Sequence, residues 1–325
     1  MGFVIGVDGG ASKTLAALAD SSGHALAIGR GGGSNHQVGG MASAMAEIGK
    51  AVGAALEQAR LAPDHLDAAC FCLAGADLPE DFAALEAGLA RLGLSRSILL
   101  KNDTMAALRA GLSRSWGVVV ICGTGFNAAG RSPDGREVRL PGLGFISGDW
   151  GGGSRLSQEI IRAVMRAWDG RGPSTRLTQV VLEALKASSE EELLARLYHN
   201  MIDGSRLLDL VPLLFRTAAA GDAVATSLIA QMGTEVGTAA RAMLRRLSIG
   251  VDEAAEVVLG GSVFKGEGPL LLDTVNLVLR SEFPRATLVR LKHEPVFGAV
   301  LFALEAGGLE VSPQVYANLA GSIDR

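Results

Sequence analysis

The chain has 325 residues, with 30 Lys and Arg against 34 Asp and Glu, and therefore a formal net charge of −4. At roughly 150 residues per domain, this length predicts about two domains, each large enough to bury its own core. Hydrophobic residues make up 48% of the sequence and charged residues 20%, a composition that excludes a disordered chain. The mildly acidic charge, with scattered Lys and Arg, excludes the basic patch that nucleic-acid-binding proteins carry.

The cysteines and the N-terminal segment predict where the protein works. Three cysteines, Cys70, Cys72 and Cys122, are too few for a disulfide framework. Cys70 and Cys72 lie two residues apart in a predicted strand, where a bridge between them would be strained, so we expect buried free thiols. The segment MGFVIGVDGG lacks a basic stretch and reaches Asp8 too early for a signal peptide, and we find no membrane-spanning run. We therefore expect a soluble, cytoplasmic protein with no membrane partner.

Strand and helix patterns alternate over the first hundred residues. Three short apolar segments separated by Gly- and Asp-containing turns predict an antiparallel meander, and the order that follows is βββαβαβα. The predicted strands cover residues 3–7, 15–19, 25–28, 68–73 and 98–100, and the predicted helices cover residues 41–60, 80–92 and 104–110.

The same pattern then begins again. VIGVDGGASKTLAALADSSGHALAIG and VVVICGTGFNAAGRSPDGREVRLPG each contain a strand, a Gly-rich turn, a second strand, a turn with Asp and Gly, and a third strand. This repeat predicts an α/β fold built by duplication of a βββαβα domain. The second copy has predicted strands at residues 117–121, 127–130, 137–140, 256–259 and 287–291, and predicted helices at residues 157–168, 177–185, 190–199, 207–219, 223–246, 269–279 and 296–304.

These elements predict two domains. The N-terminal domain covers residues 1–115 and is completed by a C-terminal helix at about 296–325. The C-terminal domain covers residues 116–295 and carries a helical insertion at about 154–246. No low-complexity linker separates them, so we expect a hinge near Trp116.

Two Gly-rich turns occupy equivalent places in the two copies. DGGASKT follows the first strand and CGTG follows the first strand of the second copy. Glycines let backbone N–H groups approach an anion closely, so we expect the turns to face each other across a cleft and bind the phosphates of a nucleotide. An ordinary hairpin is the alternative for the first turn, because Asp-Gly is a common hairpin signal. The candidate nucleotide-binding residues are Gly9, Gly10, Ser12, Lys13, Gly123, Thr124 and Gly125, and Asp8 is a candidate ligand of Mg²⁺ through water.

A third glycine pair, Gly260 and Gly261, ends a late strand in LGGS. Glycines at that place permit close approach of a flat group such as adenine or ribose. The alternative is a turn that begins a helix, since Ser262 is a suitable capping residue.

Three polar positions could carry the chemistry. Asp103 follows an apolar strand, where a carboxylate can accept a proton from an alcohol that attacks phosphorus; the alternative is a helix N-cap. Asp149 lies in the Gly-rich loop GLGFISGDWGGGS, where a turn or cap role is the alternative. Asn35, in the loop GGSNHQ, could bind sugar hydroxyl or amide groups. For its neighbour His36 we favour a surface or hydrogen-bonded role over metal ligation.

Taken in order, DGGASKT, SNH, LAGAD, ND, CGTGFN, GLGFISGD and VVLGGS resemble the motif series of the BadF/BadG/BcrA/BcrD ATPase family, in the actin/hexokinase/Hsp70 superfamily. The combination of SNH, NDTMAAL and CGTGFN is most similar to N-acetylglucosamine kinases. The resemblance is dense over residues 3–153 and looser over residues 256–304. It implies duplicated ribonuclease H-like domains with a cleft between them, ATP and Mg²⁺ as cofactors, and an aminosugar as the other substrate.

The resemblance also implies roles for individual residues. Asp103 matches the general base, and Ser12 and Thr124 lie in the two phosphate loops. The residues that it places around the sugar are Asn35, Asn127, Gly142, Leu143, Gly144 and Asp149. Asp77, in LAGAD, is a further candidate, because a free amine on the sugar would favour a nearby carboxylate.

The sequence departs from the family pattern at three positions: Ala11 replaces a Gly, Phe126 replaces the Ser of GTGS, and Trp150 replaces the Glu of GDEG. Both aromatic residues fall near the expected sugar pocket. The resemblance implies phosphorylation of the 6-hydroxyl of N-acetylglucosamine. We also expect a homodimer. The alternatives are a glucosamine kinase, an ATPase that activates another enzyme through an Fe–S cluster, and a sugar sensor without catalysis.

Overall fold

The structure is a computed structural model and describes residues 2–94 and 97–323. The chain divides into two compact units. Unit 1 comprises Met1–Val119, Ala129–Gly135 and Val289–Arg325, and unit 2 comprises Val120–Ala128 and Arg136–Leu288. The domain limits at residues 115 and 295, and the hinge near Trp116, stay predictions.

Unit 1 contains a five-stranded mixed sheet. Its strands are β1 (Phe3–Gly9), β2 (Thr14–Asp20), β3 (Ala25–Gly31), β4 (Leu66–Leu73) and β5 (Ile98–Asn102), in the order β3-β2-β1-β4-β5. β1 pairs antiparallel with β2, and β2 with β3, whereas β4 is parallel to β1 and β5 is parallel to β4. The predicted meander is confirmed. The carboxyl ends of β1, β4 and β5 lie at one edge of the sheet, where α/β proteins bind their ligands.

Helices occupy most of the remaining chain. They are α1 (His36–Gly39), α2 (Met41–Ala59), α3 (Pro79–Ala90), α4 (Asp103–Gly111), α5 (Gly152–Trp168), α6 (Leu177–Leu185), α7 (Glu190–Tyr198), α8 (Gly204–Leu208), α9 (Leu210–Ala219), α10 (Ala223–Arg246), α11 (Leu270–Arg280), α12 (Pro295–Ala306) and α13 (Pro313–Ile323).

Both faces of the first sheet are covered. On one face, Val7 and Leu18 belong to a buried cluster with Ile48 of α2 and residues of α3. α12 packs on the sheet and on α4. Gly6 of β1 lies against the backbone of Val300 in α12, so that a side chain at Gly6 would not fit. Because central strands covered on both faces are apolar throughout, this packing explains the continuous apolar pattern of β1.

The second sheet repeats the order of the first. Its strands are β6 (Gly117–Cys122), β7 (Phe126–Arg131), β8 (Glu137–Arg139), β9 (Glu256–Gly260) and β10 (Thr287–Arg290), in the order β10-β9-β6-β7-β8. Counted from its own first strand, this is the order of the first sheet, which confirms the predicted duplication. α5 to α10 form the helical insertion between β8 and β9, where α5 packs on α6, α8, α9 and α10.

Three predicted helices are wrong in extent. The helix expected at residues 157–168 begins five residues earlier, at Gly152 of α5. The helix expected at residues 207–219 is two helices, α8 and α9, because Pro212 has no N–H to donate to the carbonyl of Leu208. The C-terminal helix expected at about 296–325 is also two, α12 and α13. Gly308, with φ +77°, ends the first part, and Pro313 begins the second. Residues 324 and 325 of that prediction lie outside the described residues.

The cysteines are free and buried, as predicted. The sulfur atoms of Cys70 and Cys72 are 3.8 Å apart on β4. Burial raises the pKa of the Cys72 and Cys122 thiols well above the ordinary value, so that both stay protonated. Over residues 2–94 and 97–323, no helix has the length and apolar character needed to cross a membrane.

Candidate active site

Two predicted site carboxylates lie at the same edge of the first sheet. Asp8 is next to last in β1, and Asp103 begins α4 directly after β5. Asp8 is only 9% exposed. Burial raises the pKa of the Asp8 carboxyl from 3.8 to about 7, and the negative charge of Asp103 is the second cause. The fold therefore brings together the candidate base and the candidate Mg²⁺ ligand.

A third carboxylate, Glu294, joins this group, and the sequence analysis missed it. Glu294 directly precedes α12, and its Oε2 accepts a hydrogen bond of 2.6 Å from Nζ of Lys13. Lys13 lowers the pKa of Asp8, whereas Glu294 raises it. Three carboxylates and one ammonium group thus lie close enough for their charges to act on Asp8. The only sequence signal for Glu294 is its place immediately before a proline at a helix start.

The turn from Gly10 to Lys13 has the geometry of a hairpin. The N–H of Gly10 donates to the carbonyl of Lys13 at 2.9 Å, and Ser12 is exposed. Gly9 packs against Ser34 and Leu73, where a larger residue would collide. The hairpin alternative therefore describes the local structure, while the exposed Ser12 leaves the phosphate-binding prediction open.

The loop with Asn35 and the turn with Asp77 lie beside each other. Oδ1 of Asn35 accepts from the N–H of Gln37 at 2.9 Å and so caps α1. Oδ1 of Asp77 accepts from Nδ2 of Asn102 at 3.1 Å. Gly75, in the same turn as Asp77, contacts the loop: a Cβ atom at this position would be 2.8 Å from Oδ1 of Asn35. Three predicted site segments of unit 1 are therefore neighbours.

His36 is hydrogen-bonded, as the sequence analysis favoured. Its Nε2 lies 3.2 Å from Oδ1 of Asp81 in α3, and Oδ2 of Asp81 accepts from the N–H of Leu78. The hydrogen bond to Leu78, followed by that to His36, lowers the pKa of the Asp81 carboxyl. This pair connects the loop with Asn35 to α3.

In unit 2, the second Gly-rich turn contacts α5. The carbonyl groups of Gly123 and Thr124 accept from the N–H groups of Gly153 and Ser154 at 2.8 and 2.9 Å. Gly261 lies against the backbone of Cys122 and Gly123. The structure therefore brings the GTG turn together with the glycine pair Gly260-Gly261, two segments that are more than a hundred residues apart in sequence.

The loop from Gly142 to Trp150 is closed by Asp149. Oδ2 of Asp149, which is buried, accepts from the N–H of Gly144 at 3.0 Å and from Oγ of Ser147 at 2.6 Å. The N–H of Leu143 donates to the same Ser147 hydroxyl. Asp149 therefore has the turn role that the sequence analysis gave as the alternative, through one of its two oxygens.

Asn127 belongs to the same region of unit 2. A Cβ atom at Gly142 would be 2.9 Å from its Nδ2, and its Oδ1 accepts from the N–H of Ala128 at 2.8 Å. Asn127, Gly142 and the Asp149 loop are therefore neighbours, although the sequence separates them by up to 22 residues.

The two unusual aromatic residues have defined places. Phe126 packs against Gly151. Trp150 lies beside Arg155, whose guanidinium is 4.6 Å from the ring centre of Phe145 and 5.9 Å from that of Trp150. Arg155, which the sequence analysis did not single out, also donates to Glu159 at 2.7 Å. Cation–π stacking of this kind stabilises the conformation of the loop.

The oxygen atoms available near Asp8 fit a Mg²⁺ ion whose other ligands are mainly water and the phosphate oxygens of a bound nucleotide. The described residues contain no cluster of three or more His, Cys, Asp or Glu side chains able to hold a metal ion by themselves. Mg²⁺ is commonly held by one or two carboxylates together with waters and phosphate oxygens. Asp8 meets this requirement, because a cation would relieve the repulsion between its buried carboxylate and Asp103.

Three proteins with sequences similar to this chain are sugar kinases by name. An N-acetyl-D-glucosamine kinase of Dictyostelium discoideum is 28% identical over 93% of this chain and 98% of its own length. An N-acetylmuramic acid/N-acetylglucosamine kinase of Clostridium acetobutylicum has the same identity and coverage. A glucosamine kinase of Vibrio cholerae is 28% identical over 56% of this chain and 61% of its own.

Solved structures confirm the fold. A candidate N-acetylglucosamine kinase of Chromobacterium violaceum has a TM-score of 0.66 and 25% identity, and the match covers 93% of this chain and 99% of that one. A ROK family glucokinase of Streptomyces griseus, solved with glucose and AMPPNP, has a TM-score of 0.57 at 19% identity, over 94% of this chain and 100% of that one. The predicted duplicated actin-like architecture is therefore confirmed.

The sequence profile of one family matches residues 5–303, which include the first Gly-rich turn, Asp103, the GTG turn and the glycine pair before α11. With this match and the strand order of both sheets, the chain belongs to the BadF/BadG/BcrA/BcrD ATPase family.

Proposed function

We propose that this protein is an ATP-dependent aminosugar kinase that transfers the γ-phosphoryl group to the 6-hydroxyl of N-acetylglucosamine. The observation that carries the proposal is the pair of carboxylates at the sheet edge, Asp103 at the start of α4 and the buried Asp8 at the end of β1. The names of the relatives from Dictyostelium discoideum and Clostridium acetobutylicum support the choice of sugar.

In the proposed reaction, Asp103 accepts the proton of the sugar hydroxyl as its oxygen attacks the γ-phosphorus. The bond between that phosphorus and the bridging oxygen breaks, and ADP leaves with the electron pair. A carboxylate suits this task, because the attacking alcohol needs an acceptor only as the new bond forms.

The Gly-rich turns and Lys13 would bind the phosphates of ATP. Lys13 is exposed and paired with Glu294, so a phosphate could replace that carboxylate as its partner. Asp8 would hold Mg²⁺ through water, and the ion would supply positive charge next to the phosphoryl oxygens. A bound cation favours the ionised form of Asp8, which burial and Asp103 disfavour in the free protein.

We assign Asn35, Asp77, Asn127, Asp149 and the Gly142–Gly144 segment to the sugar. Asp149 uses Oδ2 to close its own loop, so its contact with the sugar would be made by Oδ1. The side chains of Asn35 and Asp77 are also held in place, Asn35 by the N–H of Gln37 and Asp77 by the amide of Asn102. Side chains held in this way lose little further freedom when a ligand binds.

Glucosamine is the second candidate substrate. A free amine is a cation at neutral pH, and Asp77 offers it a half-buried carboxylate in the same unit as Asp103. The Fe–S activation alternative is disfavoured, because all three cysteines of the sequence are buried and none is exposed to bind a cluster.

The test is a coupled ADP-release assay with purified protein, ATP and Mg²⁺ against a panel of sugars. We expect the highest kcat/KM with N-acetylglucosamine, lower values with glucosamine and N-acetylmuramic acid, and little turnover with glucose. Asp103→Asn is the control for a contaminating kinase. Turnover that Asp103→Asn leaves unchanged, or none with any aminosugar, would contradict the proposal. Size-exclusion chromatography with light scattering tests the predicted homodimer.

A further inference from the structure

The turn that follows β4, residues 74–78, contacts three separate segments of the candidate site. The N–H of Ala74 donates to the carbonyl of Gly9 at 2.7 Å, beside Asp8. Gly75 lies against Asn35 and His36, and its carbonyl accepts from Gln37 at 3.5 Å. This turn therefore connects the end of β1 with the loop that contains Asn35.

Asn102 joins the same turn to α4. Its Nδ2 donates to the carbonyl of Ala76 at 3.2 Å and to Oδ1 of Asp77 at 3.1 Å. Its Oδ1 accepts from the N–H of Thr104 at 3.1 Å and from the hydroxyl of Thr104 at 2.6 Å. Since the N–H of Thr104 can only donate, this network fixes the orientation of the amide. One side chain thus holds the turn with Asp77 and the first residues of the helix that carries Asp103.

The properties of Asn102 indicate more than an ordinary helix cap. The residue is 7% exposed, and both amide hydrogens and the amide oxygen have partners. A buried amide without these partners would be costly, whereas a fully satisfied one makes its surroundings rigid. A cap alone needs only an acceptor, which Ser or Thr also supplies. The two donors are therefore the distinctive part of this side chain.

We propose that Asn102 is a positioning residue that sets the distance between Asp77, on the sugar side, and the base Asp103. This inference rests on the proposed function, because it uses the roles assigned there to Asp77 and Asp103. Through its two donors Asn102 fixes the turn, and through its acceptor it fixes the start of α4. Its donors and its acceptor are all used within the protein, so its loss should change the geometry of sugar binding and transfer and should change ATP binding much less, since Asn102 contacts the turn at Ala76 and Asp77 and not at the bond from Ala74 to Gly9.

Substitutions at Asn102 can separate its contacts with the turn, made by the two donors, from its contact with α4, made by the acceptor. Asn102→Ser keeps an acceptor for the N–H of Thr104 but removes both donors, whereas Asn102→Ala removes all three. The matched control is Asp203→Ser, because Asp203 caps α8 in unit 2 by accepting from the N–H two residues later, Ser205, at 2.8 Å. Gly75→Ala is a second perturbation on the sugar side, since its Cβ would press on Asn35 and His36 and the φ of +84° at this position strains any side chain.

The first measurement is amide hydrogen exchange without substrate. We expect Asn102→Ser to speed exchange about tenfold in residues 74–78 and to leave the first turn of α4 near wild type, whereas Asn102→Ala should speed both. Wild-type exchange in residues 74–78 of Asn102→Ser would overturn the inference. Hydrogen exchange does not depend on activity, so it tests whether Asn102 holds the turn and the start of α4 even if no sugar is phosphorylated. The absence of sugar phosphorylation would refute the proposed function but not this structural role.

The second measurement is steady-state kinetics. We expect Asn102→Ser to lower kcat/KM for the sugar about 10- to 100-fold, the effect of one or two lost hydrogen bonds, with KM for ATP within about twofold of wild type. Gly75→Ala should raise the sugar KM with a smaller change in kcat, and Asp203→Ser should resemble wild type. Sugar kinetics of Asn102→Ser equal to those of Asp203→Ser would overturn the positioning role, as would an equal loss for ATP.

Discussion

The burial of the Asp8 carboxylate leads to a prediction about protein stability that can be tested without any substrate. Above neutral pH, the native state holds a charge in a buried place close to Asp103, whereas the unfolded state holds it in water. Asp8→Asn keeps the shape of the side chain and removes the charge. We therefore expect this substitution to stabilise the protein at alkaline pH, although it alters a residue of the candidate site.

The size of the effect follows from the raised pKa of Asp8, about 7 in the native state against 3.8 in the unfolded state. Below the lower value the carboxyl is protonated in both states. Between the two values only the native state keeps the proton, so rising pH favours unfolding, and above the upper value the cost is constant. At about 1.4 kcal/mol per unit, the full cost is roughly 4 kcal/mol, of which roughly 3 kcal/mol develops between pH 5 and pH 8.5.

The assay is urea unfolding of wild type and Asp8→Asn at pH 5 and pH 8.5, followed by circular dichroism. The stability of Asp8→Asn relative to wild type should increase by roughly 3 kcal/mol between the two pH values. If the two units unfold in separate steps, the difference belongs to the step of unit 1. Glu86→Gln changes an exposed carboxylate of α3 and provides the baseline. If the difference in unfolding free energy between Asp8→Asn and wild type is the same at both pH values, or is smaller at pH 8.5, the interpretation of Asp8 as a buried charge is refuted.

Three further predictions concern the other parts of the account. Gly10→Val and Gly125→Val should each raise KM for ATP in a folded protein, because they occupy equivalent turns; if only one of them does so in kinetic assays, the two-turn interpretation is wrong. Asp149→Ala should weaken sugar binding by roughly 2–3 kcal/mol in calorimetry, far more than ATP binding, and an unchanged sugar Kd would reduce Asp149 to a loop residue. Glu305→Ala should cost roughly 3 kcal/mol in urea unfolding, because it leaves the buried Arg109, now 2.8 Å from Glu305, without its charged partner; a loss under about 1 kcal/mol would show that Arg109 finds another partner.

Much of the fold follows from local patterns in the sequence. β1 and β6 are apolar segments that end in Gly-rich turns, and each begins a meander, so that the duplication is visible without any structure. The ends of α8 and α12 were harder to predict. The apolar pattern runs on across Asp209 and Gly307, and the backbone chemistry of Pro212 and Gly308 decides where each helix stops.

The candidate site was predictable in its residues but not in its contacts. Asp8 and Asp103 are recognisable because each follows a strand. Glu294 is 281 residues from its partner Lys13, and no local pattern indicates that pairing. In the same way, Asn102 has the sequence appearance of a cap, and only the fold brings Ala76 and Asp77 to its two donors. Contacts of this kind depend on tertiary packing, to which a single sequence gives no direct access.

The most direct test of the account is the turnover number of Asp103→Asn with N-acetylglucosamine at saturating ATP and Mg²⁺. We expect kcat to fall by about 10²-fold or more, the usual effect of losing a general base, while the sugar Kd and the unfolding temperature at pH 6 stay close to wild type. Asparagine has nearly the shape of aspartate and can still begin α4, so the fall would belong to proton transfer. A kcat within about threefold of wild type would contradict the account and leave Asp103 as a residue of the first helical turn only.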